Sequence, residues 1–390
     1  MPCPPRCLRH LIRLLAGSAA TLLAAQTASA PPREDAARAT PYAPKAAATA
    51  TLKDAYHGVF HIGAALNPGQ FTGANAQGAA LVLREFDSIS PENVLKWESV
   101  EPEDGAFRFE LADQYVEFGV QHKMFIIGHT LVWHKQLPAW VAQPSPHQAK
   151  LTKEVLLKHL HDHIMTVAGR YKGKVHGWDV LNEAVDDNGG YRDTVFYRII
   201  GKEYIPLVFK WAREADPHAE LYYNDYNLDA SDAKRATAIE LIKYLRSEGA
   251  PIDGVGLQGH YNLNSPSVAK IDETIRMFAE LGLKVMITEL DVQVNRNANA
   301  AITGAVGAHS EDAPAQQRPL TEEQQQALAR RYGELFGVFR QNRNAVTRVT
   351  LWGLRDTDSW RRNSSPLLFD DDYRRKPAYD AVINAATMSK

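Results

Sequence analysis

Eight short apolar runs recur along this chain, each followed by a stretch with helical spacing, and no other feature restricts the fold as much. The runs are Val59–Ala64, Glu85–Ile89, Met124–Thr130, Val175–Leu181, Glu220–Asn224, Gly254–Gly259, Lys284–Glu289 and Arg348–Gly353. Their starts lie about 41 residues apart, long enough for a crossover helix between parallel strands. Between them, residues 152–168 put Leu156, Leu160, Ile164 and Val167 on one helical face, and residues 236–245 do the same with Ile239, Ile242 and Leu245. Such alternation builds either a doubly wound sheet or a closed barrel. Eight units favour an α/β fold that is a single (β/α)8 TIM barrel, and no Gly-x-Gly-x-x-Gly opens the first unit.

The ends of the chain read differently. Arg6, Arg9 and Arg13 precede an apolar stretch from Leu11 to Ala25, and Ala28, Ser29 and Ala30 form a small-residue cleavage site. Residues 1–30 are therefore expected to be an export signal, residues 31–51 an Ala/Pro-rich linker or tail, and residues 52–388 one folded domain. Both cysteines, Cys3 and Cys7, fall in the signal, so the remainder has no disulfide, thiolate nucleophile or Cys metal site. The net charge of −2 gives no basic excess for nucleic acid or an anionic membrane. A soluble protein, secreted or periplasmic and monomeric, with no membrane contact after cleavage, is the expectation. Residues 295–319, rich in Ala, Asn, Gly and Gln, follow the seventh strand and read as a long loop on the C-terminal face.

In a barrel the chemistry sits at the C-terminal ends of the strands. Those ends are rich in polar and aromatic residues: PENVLKW at 91–97, GHTLVWH at 128–134, WDVLNE at 178–183, QGH at 258–260 and ITELD at 287–291, with Trp352 and Trp360 after the eighth strand. A core needs none of these groups, and each costs free energy if buried unpaired. Glu183 and Glu289 each end an apolar strand. A carboxylate pair across a cleft is what glycoside hydrolysis requires, one group protonating the leaving oxygen while the other meets the oxocarbenium-like carbon. Asn182 fits as an amide donor to a sugar 2-hydroxyl. Strict alternation points Asn182 and Glu183 to opposite faces, so a bulge or loop must end the strand for both to reach the cleft.

Gln258 and His260 share a face of the sixth strand, as do Glu289 and Asp291 on the seventh. His260 is placed to hold Glu289, with Asp291 orienting the ring. Trp133, Trp352 and Trp360, together with Glu92, Asn93 and Lys96, have the makings of a sugar cleft, where rings stack on pyranose faces and polar tips take hydroxyls. A metal is not expected. His159 and His163 are the one same-face pair on their helix and lack the glutamate of His-Glu-x-x-His, and the first strand carries a lone His61 where a metal-dependent barrel hydrolase wants His-x-His. No cofactor is called for.

The five blocks, in this order and spacing and with the Trp352/Trp360 pair, resemble glycoside hydrolase family 10, the endo-β-1,4-xylanases, over residues 52–386. The resemblance implies internal, retaining hydrolysis of β-1,4-xylan, with xylan and xylo-oligosaccharides as partners. By position it makes Glu183 the acid/base, Glu289 the nucleophile and His260 the residue that orients it. It makes Glu92, Asn93, Lys96, His129, Trp133, Gln258, Trp352 and Trp360 contacts to the glycone sugars, and Asn182 the 2-hydroxyl donor. It also implies a cis peptide between His129 and Thr130. Ionised Glu289 is expected to raise the pKa of Glu183 and keep it protonated. A barrel glycosidase acting on cellulose or another β-glucan, and a non-catalytic xylan-binding protein on the same fold, are the competing readings.

Overall fold

The parallel strands alternate with helices from residue 61 to residue 385. The computed structural model describes residues 50–142, 151–294, 319–361 and 364–387, all within the unit spanning Tyr42–Lys390. The expected signal, all but the last residues of the expected linker, and residues 295–318 of the long loop lie outside them. The strands are β1 (His61–Leu66), β2 (Ser88–Pro91), β3 (Phe125–Val132), β4 (Gly177–Asn182), β5 (Glu220–Asp225), β6 (Gly254–Leu257), β7 (His260–Asn262), β8 (Lys284–Gln293) and β9 (Val346–Leu351). Each pairs in parallel with its neighbour, and β1 pairs with β9, His61 opposite Arg348, to close the ring. Both β6 and β7 pair with β8, so they are two pieces of one barrel position, broken at Gln258 and Gly259. The result is the (β/α)8 barrel.

One long helix follows each barrel position: Ala76–Glu85, Glu110–Gln121, Lys153–Arg170, Tyr204–Ala215, Asp232–Ser247, Val268–Glu280, Glu322–Gln341 and Pro377–Ala385. Their starts follow capping chemistry. Thr152 accepts from the Val155 amide, Ser231 from Lys234 and Thr321 from Gln324. Leu156, Leu160, Ile164 and Val167 are buried on the inner face of Lys153–Arg170, as their spacing predicts. The second strand begins later than its apolar run, because Glu85 closes the preceding helix. Its buried carboxylate accepts from the Leu52 amide and from Tyr379 Oη, tying the start of the domain to its last helix.

Inside the barrel, Ile127, Tyr222 and Met286 form a separate apolar cluster, and buried Arg348 donates to Ser90 and Thr350. Gly128 is required by close packing, since a Cβ there would sit 2.1 Å from the Trp178 ring. The His129–Thr130 peptide is cis. Among the described residues no helix is long and apolar enough to cross a membrane.

Candidate active site

The strand ends bring the two carboxylates into one buried network. Glu183 and Glu289 are both buried, 6% and 5% exposed. Glu289 is held at both oxygens: Asn224 Nδ2 donates to Oε1 at 2.8 Å, and His260 Nε2 lies 3.3 Å from Oε2. Asn224 is itself fixed by Thr288, whose hydroxyl donates to its Oδ1 at 2.6 Å. Glu183 accepts from Gln258 Nε2 at 3.0 Å. Between them sits Asn182, whose amide is 3.0 Å from that of Asn224 and 3.3 Å from that of Gln258. Turned over, the same amide accepts from Trp133 Nε1 at 3.3 Å.

Two irregularities let consecutive residues reach the cleft. The β4–β5 register slips between Asp179 and Leu181, and Glu183 leaves the strand with φ +56°. A left-handed conformation costs a non-glycine residue about 1–2 kcal/mol, so surrounding contacts must hold it. The break between β6 and β7 does the same job for the sixth position. Gly259, at φ +79°, sends Gln258 to Glu183 and His260 to Glu289, so these two do not share a face of one continuous strand.

His260 is strongly perturbed by its neighbours. Burial disfavours its charged form, but Asp291, 3.1 Å from Nδ1, and Glu289 together push its pKa up to about 9. Asp291 stays below the usual carboxylate range despite burial, because Arg361 and His260 face it. Trp360 Nε1 donates to Asp291 Oδ2 at 2.8 Å, which moors the indole beside His260, ring centroids 5.2 Å apart. Trp352 stands edge-on to His129 at 5.5 Å, and His129 Nδ1 is fixed 2.9 Å from Asp179.

Glu183 differs from the expectation. Burial pushes its pKa up, but the Gln258 amide, His134, the Trp133 indole and Lys135 bring it below the ordinary value. The expected rise is therefore absent, and the net shift of Glu183 is downward. His134 contributes only while charged, and its own burial lowers it to about 4.

The β2 end supplies a polar wall. Lys96 Nζ donates to Asn93 Oδ1 at 2.9 Å and to Gln136 Oε1 at 2.5 Å, and lies 4.9 Å over the Trp133 ring. Burial lowers the Lys96 pKa against the pull of Glu289, Glu92, Glu183 and Glu98. Glu92 enters the site through that field, its backbone held by Leu66. The selected residues stand in the loops after the strands or among the strands' later residues: His129 lies inside β3 and Glu289 inside β8, which runs on to Gln293, while His260 opens β7 and Trp360 lies in the loop beyond β9. The sequence reading missed Asn224, Gln136, Asp179 and Arg361. Asn224 left a signal, a polar residue ending the apolar fifth run. Gln136 left none, since its role depends on a left-handed turn, φ +45°.

The helical histidines belong to packing. His163 stacks on Trp97 at 4.0 Å with Nδ1 3.3 Å from Glu101, while His159 lies 3.5 Å from Asp104.

The model of glycosyl hydrolase family 10 matches residues 51–385. Endo-1,4-beta-xylanase A of Caldicellulosiruptor sp. (strain Rt8B.4) is 42% identical over 348 residues, covering 87% of this chain, which spans about half (48%) of that relative's length. Endo-1,4-beta-xylanase A of Xylanibacter ruminicola is 37% identical over 344 residues, 85% of this chain and 92% of the relative. Among solved structures, a GH10 endoxylanase retrieved from sugarcane soil metagenome superposes with a TM-score of 0.79 at 38% identity, over 86% of this chain and 99% of that one.

Proposed function

The chain belongs to glycosyl hydrolase family 10, and we propose that it is a retaining endo-β-1,4-xylanase in which Glu289 is the nucleophile and Glu183 the acid/base. The observation that carries this reading is the unequal surroundings of the two buried carboxylates. Glu289 faces a histidine with a pKa of about 9 and an amide donor, one at each oxygen, which together hold its carboxylate in one orientation. Glu183 faces an amide, an indole and a histidine that is neutral at ordinary pH.

A xylan chain lies across the strand ends, its glycone sugars against Glu92, Asn93, Lys96, His129, Trp133, Gln258, Trp352 and Trp360. Glu289 attacks the anomeric carbon while Glu183 gives its proton to the departing glycosidic oxygen. A covalent glycosyl-enzyme forms. Glu183, now a base, takes a proton from water, which attacks the same carbon and releases a product with retained configuration. The Asn182 amide donates to the 2-hydroxyl. Bound substrate excludes water, which favours the neutral form of Glu183, and offers an acceptor oxygen for its proton.

Xylan and carboxymethyl-cellulose assayed side by side, with products of linear xylo-oligosaccharides identified, test the reading. Internal cleavage of xylan is expected. Preference for the glucan favours the cellulase alternative, and binding without sugar release favours the non-catalytic one. We further propose export through residues 1–30, for which the intact mass of secreted protein is the check; a mass retaining Cys3 overturns it.

A further inference from the structure

The backbone that carries Glu183 is held by one guanidinium that the reaction does not otherwise use. After Glu183 the chain makes a tight hairpin, with Val185 bridged to Tyr191 and the Asp186 amide donating to the Gly190 carbonyl. It returns at Arg192, whose Nε donates to the Glu183 carbonyl at 2.9 Å and whose Nη2 donates to the Val185 carbonyl at 2.9 Å and to Tyr226 Oη at 2.8 Å. The Arg192 amide donates to the Ala184 carbonyl at 2.8 Å. Three consecutive carbonyls beside the left-handed Glu183 therefore end on one residue.

Arg192 is fixed in turn. Asp187 lies 3.5 Å from its Nη2, and buried Lys234 lies 3.1 Å from Asp187, 3.0 Å from Asp225 and 3.3 Å over the Tyr226 ring. The Gly190 amide donates to Thr237 Oγ1 at 3.0 Å, docking the hairpin tip on the helix Asp232–Ser247. Asp225 follows Asn224, whose carbonyl accepts from the Glu183 amide at 2.9 Å. The arginine's planar fork suits two carbonyls at once, which a lysine's single ammonium cannot reproduce.

We propose that Arg192 is the positioning residue of Glu183, holding its left-handed backbone so that the carboxyl meets the glycosidic oxygen. The proposal rests on the reading of Glu183 as acid/base. Its signature is dependence on the leaving group. Loss of general-acid assistance slows cleavage of poor leaving groups by about a hundredfold or more, and spares those that depart unprotonated.

Arg192→Met, Arg192→Lys, Tyr226→Phe and, as reference, Glu183→Ala are to be assayed on xylohexaose and on 2,4-dinitrophenyl β-xylobioside. For Arg192→Met, kcat/KM on xylohexaose is expected to fall steeply while kcat/KM on the dinitrophenyl substrate stays close to wild type. On that substrate kcat and KM fall together, because deglycosylation lacks its base, and azide restores kcat. Arg192→Lys and Tyr226→Phe show the same split, smaller, and remain informative if Arg192→Met does not fold. Equal losses on both substrates, or no loss on either, overturn the proposal when Glu183→Ala shows the split. If Glu183→Ala itself shows no split, the acid/base assignment fails instead.

Discussion

Replacing His260 by Gln removes one buried titration, and the structure sets its size. His260 has a pKa of about 9 in the folded protein, against its ordinary 6.5, because Asp291 and Glu289 favour its charged form more than burial opposes it. At about 1.4 kcal/mol per tenfold change in proton affinity, that difference contributes about 3 kcal/mol of stability. A group whose pKa is raised by folding gives its full contribution below the unfolded value and loses it as pH rises through the folded value. The contribution is therefore complete below about pH 6.5 and fades towards pH 9. Denaturant unfolding of wild type and His260→Gln at intervals from pH 6 to 9.5 measures it. The stability gap between the two proteins should narrow by about 3 kcal/mol across that window. Parallel curves would mean that His260 is neutral in the folded state, and the charged contact to Glu289 would be wrong.

Three other outcomes follow from the same geometry. Lys96→Met removes a buried ammonium bonded to Asn93 and Gln136, and a charged hydrogen bond is worth about 1.5–3 kcal/mol; kcat/KM on xylohexaose should drop about tenfold to a hundredfold, and an unchanged value excludes Lys96 from the sugar site. Glu183 lies below the ordinary carboxylate value, so the alkaline limb of kcat/KM, which reports the free enzyme, should fall at lower pH than that of kcat; coincident limbs in the pH profiles contradict a proton affinity raised by substrate. Glu289→Gln should abolish turnover of every substrate, whereas Glu183→Gln should still release dinitrophenol in a pre-steady-state burst, and loss of the burst refutes the division of roles.

The barrel was legible because its signal is repetition. Apolar runs at a spacing that only a crossover helix fills leave few topologies, and polar groups at the ends of those runs mark the catalytic face. What escaped the sequence were departures from regular geometry. Alternation along β4 cannot reveal the left-handed Glu183, nor can the QGH block reveal that Gly259 splits its strand and divides Gln258 from His260. The lowered pKa of Glu183 is hidden from the sequence because the Gln258 amide becomes its partner only once the fold brings residues 183 and 258 to 3.0 Å. Asn224 shows in the sequence only as the polar end of the fifth apolar run, a signal too slight to set it apart from any other strand end.

The central claim, that Glu289 forms a covalent bond to the sugar while Glu183 serves as acid and base, is tested most directly by trapping. Incubation with 2,4-dinitrophenyl 2-deoxy-2-fluoro-β-xylobioside, followed by intact-mass measurement and peptide mapping, should show one fluoroxylobiosyl adduct per chain on the peptide carrying Glu289, at that side chain. An adduct on Glu183 or elsewhere would contradict the account, as would no adduct from enzyme that still hydrolyses xylan and releases its first product as the α-anomer.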